Sequence, residues 1–292
     1  MKKHLLIPTV GLLLFFTSCE EDLNVDLPSS SKKIVIEGSI ENGKYAEVMI
    51  TKNVPLFSSI AGTNITDYLV TDATVYVSNG IMTDTLTLAI DTAASLPLVY
   101  KGHSIIGIPG QTYYLTVLAD GKTLTATTTI PTPVALDSVW WKPQPPEDSL
   151  GYAWAHLSEP AGSGNSYRWY AKRITKDRRF IAPFGATFDD KFVDGKSFDF
   201  AYNKAYDPTD TANTEEHDSE KERFYYRMSD TIVVKFTTID KATKDFYTTF
   251  ETAEGNNGNP FASPVTILSN INGGGLGIWG GFGVTYDTIY GH

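Results

Sequence analysis

The stretch 112-TYYLTVLADGKTLTATTTIP-131 decides how the chain is read. Side chains alternate with period two on both sides of Asp120-Gly121, the signature of half-buried strands. An Asp-Gly pair between two such runs supplies the positive-φ positions of a two-residue hairpin. Outward from it the same pattern recurs in 33-KIVIEGSI-40, 45-YAEVMITKN-53, 73-ATVYVSNG-80 and 84-DTLTLAID-91. Asn42-Gly43, Asn79-Gly80 and Pro109-Gly110 punctuate the runs as turn residues do.

Six or seven short strands within roughly a hundred residues is the count of an immunoglobulin-like or transthyretin-like sandwich, expected over 33–131. Pro131 and Pro133 then read as a stiff junction. Beyond it, 136-LDSVWW-141, the proline-bearing turn 143-PQPPED-148, 150-LGYAWAHLSEP-160 and 166-SYRWYAKRIT-175 resemble the opening of a fibronectin type III sandwich, which would occupy 134–290. In that part 192-FVDGKSFDF-200 is a predicted Asp-Gly hairpin and 231-TIVVKFTTI-239 a predicted buried strand. One helix is expected over 241–254. Asp240 stands at its N-cap, Gly255 where a left-handed C-cap belongs, and Phe246, Phe250 and Ala253 on one face. The predicted class is all-β: two tandem sandwiches, the second with an inserted helix.

The compartment is written in the first nineteen residues. Lys2, Lys3 and His4 are followed by an apolar run from Leu5 to Phe16, and 15-FFTSC-19 puts small residues before Cys19. Residues 1–18 read as a cleaved signal, too short to span a bilayer. Small residues before a cysteine at that place resemble a bacterial lipobox, so Cys19 is the expected lipid attachment site, and several acyl chains anchor stably where one is marginal. Cys19 is the chain's single cysteine, so the body must be held by its cores rather than by disulfides. Losing Lys2 and Lys3 takes the formal charge from -10 to -12, an acidic balance that argues against nucleic acid as partner. Glu20, Glu21 and Asp22 open a polar tether through 19–32.

Recognisable chemistry is sparse. Gly275-x-Gly277-x-x-Gly280 has the spacing of a dinucleotide loop, but 282-FGVTYDTIY-290 follows where a helix would have to begin. The mature chain's histidines, His103, His156, His217 and His292, lie in no G-x-S-x-G or H-E-x-x-H frame. The acidic loop Asp207 to Glu222 has no glycine for a calcium-binding turn and reads as a solvated charge run. No catalytic residue, cofactor or metal site is therefore expected. Trp140, Trp141, Trp154, Trp169 and Trp279 offer either core packing or a sugar-stacking platform, and spacing does not say which. Asp followed by Ser or Thr and then an aliphatic residue or Thr recurs at Thr85, Thr92, Ser138, Ser149, Thr211, Thr231 and Thr288. Such pairs favour turns that enter strands.

The C-terminal block carries the most specific resemblance. Asn259, Pro260, Phe261 and Pro264, then Gly274, Gly275, Gly277, Trp279, Gly280 and Phe282, look like the closing motif of a family of Bacteroidota outer-membrane lipoproteins catalogued as domain of unknown function 4249. The lipobox, the acidic tether, the strand at Val35 to Gly38 and the Thr128 to Pro131 end of the first sandwich are similar too. The resemblance implies attachment to the outer membrane facing outward, with Glu20, Glu21 and Asp22 as a surface-export signal. It also implies that the triplet hydroxyls are O-glycosylation sites. Its expected role is a non-enzymatic accessory to a TonB-dependent receptor in nutrient capture, with a glycan or peptide as ligand; the alternative is a stand-alone carbohydrate- or protein-binding adhesin. Physically, glycines within a strand mark close backbone approach or a bend, so Gly277 to Phe282 are expected to form a bent strand packed by Trp279 and Phe282 and held by Pro260-Phe261.

Overall fold

Asp120 and Gly121 both take positive φ, 49° and 69°, and close the two-residue hairpin between β6 (Thr112–Ala119) and β7 (Lys122–Thr129). This is a computed structural model, which describes residues 32–53, 68–91, 98–206, 223–256, 262–263 and 265–291. Alternation along the hairpin sends Tyr113, Leu115, Val117, Leu124 and Ala126 into the interior. Before it come β1 (Ile34–Glu41), β2 (Tyr45–Lys52), β3 (Thr74–Ser78), β4 (Thr83–Ile90) and β5 (Leu98–Ile106). After it come β8 (Ser138–Pro143), β9 (Leu150–Ser158), β10 (Ser166–Arg173), β11 (Thr187–Asp189), β12 (Ser197–Tyr202), β13 (Tyr226–Arg227), β14 (Ile232–Ile239), α1 (Lys241–Gly255) and β15 (Leu276–Ile289). Among the described residues the fold is all-β with one helix.

Eleven strands share one sheet in the order β11-β10-β14-β15-β1-β2-β5-β4-β3-β6-β7, and β12, β9, β13 and β8 form a second sheet around β9. One hydrophobic core gathers Ile36, Ile40, Val48, Val77, Tyr113 and Leu115; another gathers Ala153, Leu157, Tyr167, Trp169, Val234 and Phe236. The expectation of two consecutive domains, 33–131 and 134–290, meets a strand that serves both. From Leu276 to Phe282, β15 pairs in parallel with β1, and from Phe282 to Ile289 it pairs antiparallel with β14. Trp279 on its first half belongs to the first core and Ile289 on its second half to the other. Residues 32–292 accordingly make one compact unit.

Three local expectations are corrected. Asp194-Gly195 is a turn, with Gly195 at φ 67°, but it does not close a hairpin: β11 before it pairs with β10 in the large sheet and β12 after it pairs with β9 in the small one. Gly255 is the last residue of α1 rather than a left-handed cap; Asn256 ends the helix at φ -87°. The helix face pressed on the sheet is Thr243 and Tyr247, the latter packed on Ile239, Phe282 and Val284, while Phe250 is partly exposed and stacks on Phe246.

Candidate functional site

Residues that alternate away from the two cores meet on one side of the large sheet. Glu37, Ser39 and Glu41 of β1, Arg168 and Tyr170 of β10, and Lys235 of β14 floor a cleft of about 680 Å³. One wall is the segment Arg179–Phe184; another is α1, through Tyr247, Phe250, Glu251 and Glu254. The helix is placed there by its cap: the Asp240 carboxylate accepts the Thr243 N–H at 2.8 Å and the Thr128 hydroxyl at 2.8 Å. Glu251 ties the two walls together, accepting the Gly185 N–H at 3.0 Å and pairing with Arg168.

The charges on the floor are held by each other and by rings. The Arg168 guanidinium lies 3.9 Å from the Tyr247 ring centroid and 5.3 Å from that of Tyr170, and it also donates to Thr187. Burial opposes its charge, but Tyr170, Tyr247 and Glu251 more than offset that and hold it cationic. Lys235 pairs with Glu41 beneath the rings of Tyr170 and Phe180. Burial alone would raise the Glu41 pKa; Lys235 and Lys44 outweigh it, so the group sits below the usual carboxylate range. Lys44 also donates to the Tyr286 hydroxyl at 2.9 Å. Glu37 is open to the cleft itself yet walled in by its sides, and that enclosure raises its pKa against the opposing fields of Arg179 and Arg168. The result is a rigid, partly aromatic recess with fixed charges of both signs, suited to holding a ligand by several polar contacts at once.

Sequence reasoning did not find this cleft. The available signal was a cation between large apolar neighbours in each of two strands, Arg168 between Tyr167 and Trp169 in β10 and Lys235 between Val234 and Phe236 in β14, where a charge taken from water needs a partner.

The other candidate residues are scattered. Cys19, Glu20, Glu21 and Asp22, and Asn259, Pro260, Phe261 and Pro264, lie outside the described residues, as do Thr92, Thr211, His217, His292 and the acidic loop from Asp207 to Glu222. Among the described residues, Asn270 clamps Trp279, accepting its N–H at 2.9 Å and donating to its carbonyl at 2.8 Å. The Trp279 indole, fully buried, donates to the Tyr113 carbonyl at 3.2 Å. Gly277 takes φ 107°, and a Cβ there would stand 1.9 Å from the Ile36 carbonyl. Trp169 is also core, and Trp141 packs against the second core while donating to the Tyr226 carbonyl. Trp140 and Trp154 are half-buried on the outer face of the small sheet.

Thr85, Ser138 and Ser149 are exposed, whereas Thr231 and Thr288 are half-buried. The aspartates of three triplets hold the backbone: Asp84 accepts from His103, Ser104 and Ile105, Asp137 from Ser158, and Asp230 from Arg227. Glu159, Asp190 and Asp194 converge, but each accepts backbone N–H donors, of Gly195, of Gly164 and Asn165, and of Gly162 respectively. His156 stands beside Asp199 at 2.6 Å on the same outer face as Trp154.

A β fold with two main cores, closed by a glycine-rich strand shared between both halves, with a recess on the face of the large sheet that α1 covers, defines the class of protein. The chain matches the model of the family described as Domain of unknown function (DUF4249) over residues 20–288, and it belongs to that family. No curated protein matches it.

Proposed function

We propose that the protein is a non-enzymatic, lipid-anchored capture module of a Bacteroidota outer membrane, facing outward and accessory to a TonB-dependent receptor. The observation that carries the reading is the cleft: Arg168 is paired with Glu251 and Lys235 with Glu41, both cations lie against aromatic rings, and the arrangement suits holding a ligand rather than reacting with it. The lipobox ending at Cys19 supports anchoring, and the acidic run Glu20, Glu21 and Asp22 supports export to the surface. In this role the cleft presents a nutrient to the neighbouring barrel, and the tether lets the body reach it.

The test is a pull-down of the lipidated chain from its native outer membrane in mild detergent, with Cys19→Ala as control. The expected result is one TonB-dependent barrel recovered in stoichiometric amount with the lipidated form. A lipoprotein that comes down alone, or a Cys19→Ala chain that stays in the membrane, would overturn the reading.

A further inference from the structure

The outer face of the small sheet carries an ordered set of side chains that the cleft does not use. Strand register puts them in rows. Lys142 of β8 lies opposite Tyr152 of β9, Trp140 opposite Trp154, and Ser138 opposite His156. On the other side of β9, Ala201 of β12 lies opposite Trp154, Asp199 opposite His156, and Ser197 opposite Ser158. The Trp140 and Trp154 rings are 6.2 Å apart and 23° from parallel, and the Tyr152 and Tyr225 rings 5.5 Å apart and 7° from parallel. Beside this aromatic row runs a polar one: His156 Nδ1 lies 2.6 Å from Asp199, and the hydroxyls of Ser158 and Ser197 are 3.0 Å apart. Ala201, the smallest side chain of the set, stands opposite Trp154.

We propose that this face is a carbohydrate-binding platform, on which a neutral glycan stacks its sugar rings against Trp154 and its neighbours while His156, Asp199 and the paired serines take the hydroxyls. The chemistry favours a glycan over a protein partner because the rows hold aromatic, small and hydrogen-bonding groups and no Leu, Ile, Val or Met anchor. It favours a neutral glycan because the Lys142 ammonium, 4.8 Å from the Trp154 ring centroid, is outnumbered by the carboxylates of Asp137 and Asp199, which flank His156 and would repel uronic acids. This inference does not rest on the cleft.

The experiment is affinity electrophoresis of the full-length chain in detergent, through gels containing lichenan, galactomannan, xylan or amylopectin. The expected result is retardation by at least one of the four polysaccharides. Trp154→Ala should weaken that binding about tenfold or more. Ala201→Arg sets a long side chain opposite Trp154 without removing a ring, so it should weaken binding too even if Trp154→Ala folds poorly, whereas Ile81→Ser on the exposed turn between β3 and β4 should leave the retardation unchanged. No retardation in any gel, or retardation that survives both Trp154→Ala and Ala201→Arg, would overturn the proposal. So would a receptor lost from the pull-down on Ala201→Arg with no polysaccharide bound, which would make this face a protein interface. The Cys19→Ala pull-down can fail or succeed independently, so the two readings are separable.

Discussion

Gly274 and Gly277 stand in the same closing block, yet they are glycine for different reasons. Gly274 has φ 83° with nothing within 4 Å of where a Cβ would lie, so its constraint is conformational alone. Gly277 combines φ 107° with a Cβ position overlapping Ile36 backbone, because β15 lies directly on β1 there. We expect Gly274→Ala to cost about 1 kcal/mol. Gly277→Ala, which must also push two paired strands apart, should cost about 3 kcal/mol or more. Thermal melts of the two variants against the parent would show the difference, and equal costs would refute the close-approach account. At this scale the sequence was readable in kind: glycines flanked by the wrong elements for phosphate had to serve backbone packing. Which glycine mattered more was not, because the partner strand lies far away in the chain.

Asp84 shows a second residue whose purpose only the fold reveals. Its carboxylate, 2% exposed, accepts N–H groups from His103, Ser104 and Ile105 at 2.7 to 3.2 Å. Burial pushes its pKa up, but the three donors outweigh that and hold it below the usual value. A depressed folded-state pKa means the stabilisation is present above the ordinary Asp value of about 3.9 and is lost as pH falls through the folded value. Asp84→Ala orphans those donors and should cost about 1–3 kcal/mol at neutral pH. The cost should shrink progressively in melts taken as the pH falls below the ordinary Asp value and on through the lowered folded-state value, where the parent loses the same contacts. A cost independent of pH would argue that Asp84 acts only by filling space.

Among elements, legibility followed regularity. The strands with clean alternation, β1 to β4, β6 and β7, were visible, and so was α1 with its Asp240 cap. Strand β5 was not, because its register against β2 slips between Tyr45 and Glu47 and its burial pattern loses period two. Asp84 is what makes that slip tolerable, supplying acceptors for the bulged N–H groups. The helix itself could be read but not its packing face, since a threonine and a tyrosine rather than the phenylalanines seat it. Asp240 joins the helix to both neighbours: Gly281 donates to the Thr128 hydroxyl at 2.7 Å, and that hydroxyl donates to Asp240. Asp240→Ala should therefore cost about 2 kcal/mol, more than an isolated cap, because it strips a partner from Thr128 as well. Thr128→Val also orphans the Gly281 N–H, so the double mutant should cost less than the sum of the two single losses but more than Asp240→Ala alone. Additive losses would mean the two contacts are independent.

For the whole molecule, the decisive feature is that the last strand completes the first core. Proline punctuation at 131 and 133 suggested a chain that could be cut there, and each side has a core of its own. Yet a fragment ending at Pro133 would lack Trp279, whose indole fills the first core and reaches Tyr113, and would leave β1 as an open edge. Losing a fully buried tryptophan costs about 3–5 kcal/mol, a large share of the stability of an ordinary domain. An unpaired edge strand also invites aggregation. We expect residues 32–133 alone to stay unfolded or to aggregate, and the full body to unfold in one transition whether followed through tryptophan fluorescence or far-UV dichroism. Supplying a peptide of residues 265–291 should rescue the fragment, since it brings Asn270 to hold Trp279 in place and the parallel partner of β1. A fragment that folds unaided, or a body that melts in two steps, would show the halves to be independent domains joined by a strand that is dispensable to the first. The outcome bears on the proposed capture as well, because the cleft floor takes Glu37 and Glu41 from one half and Arg168 and Lys235 from the other. A recess built across the shared strand keeps its paired charges in register only while both halves move as one body.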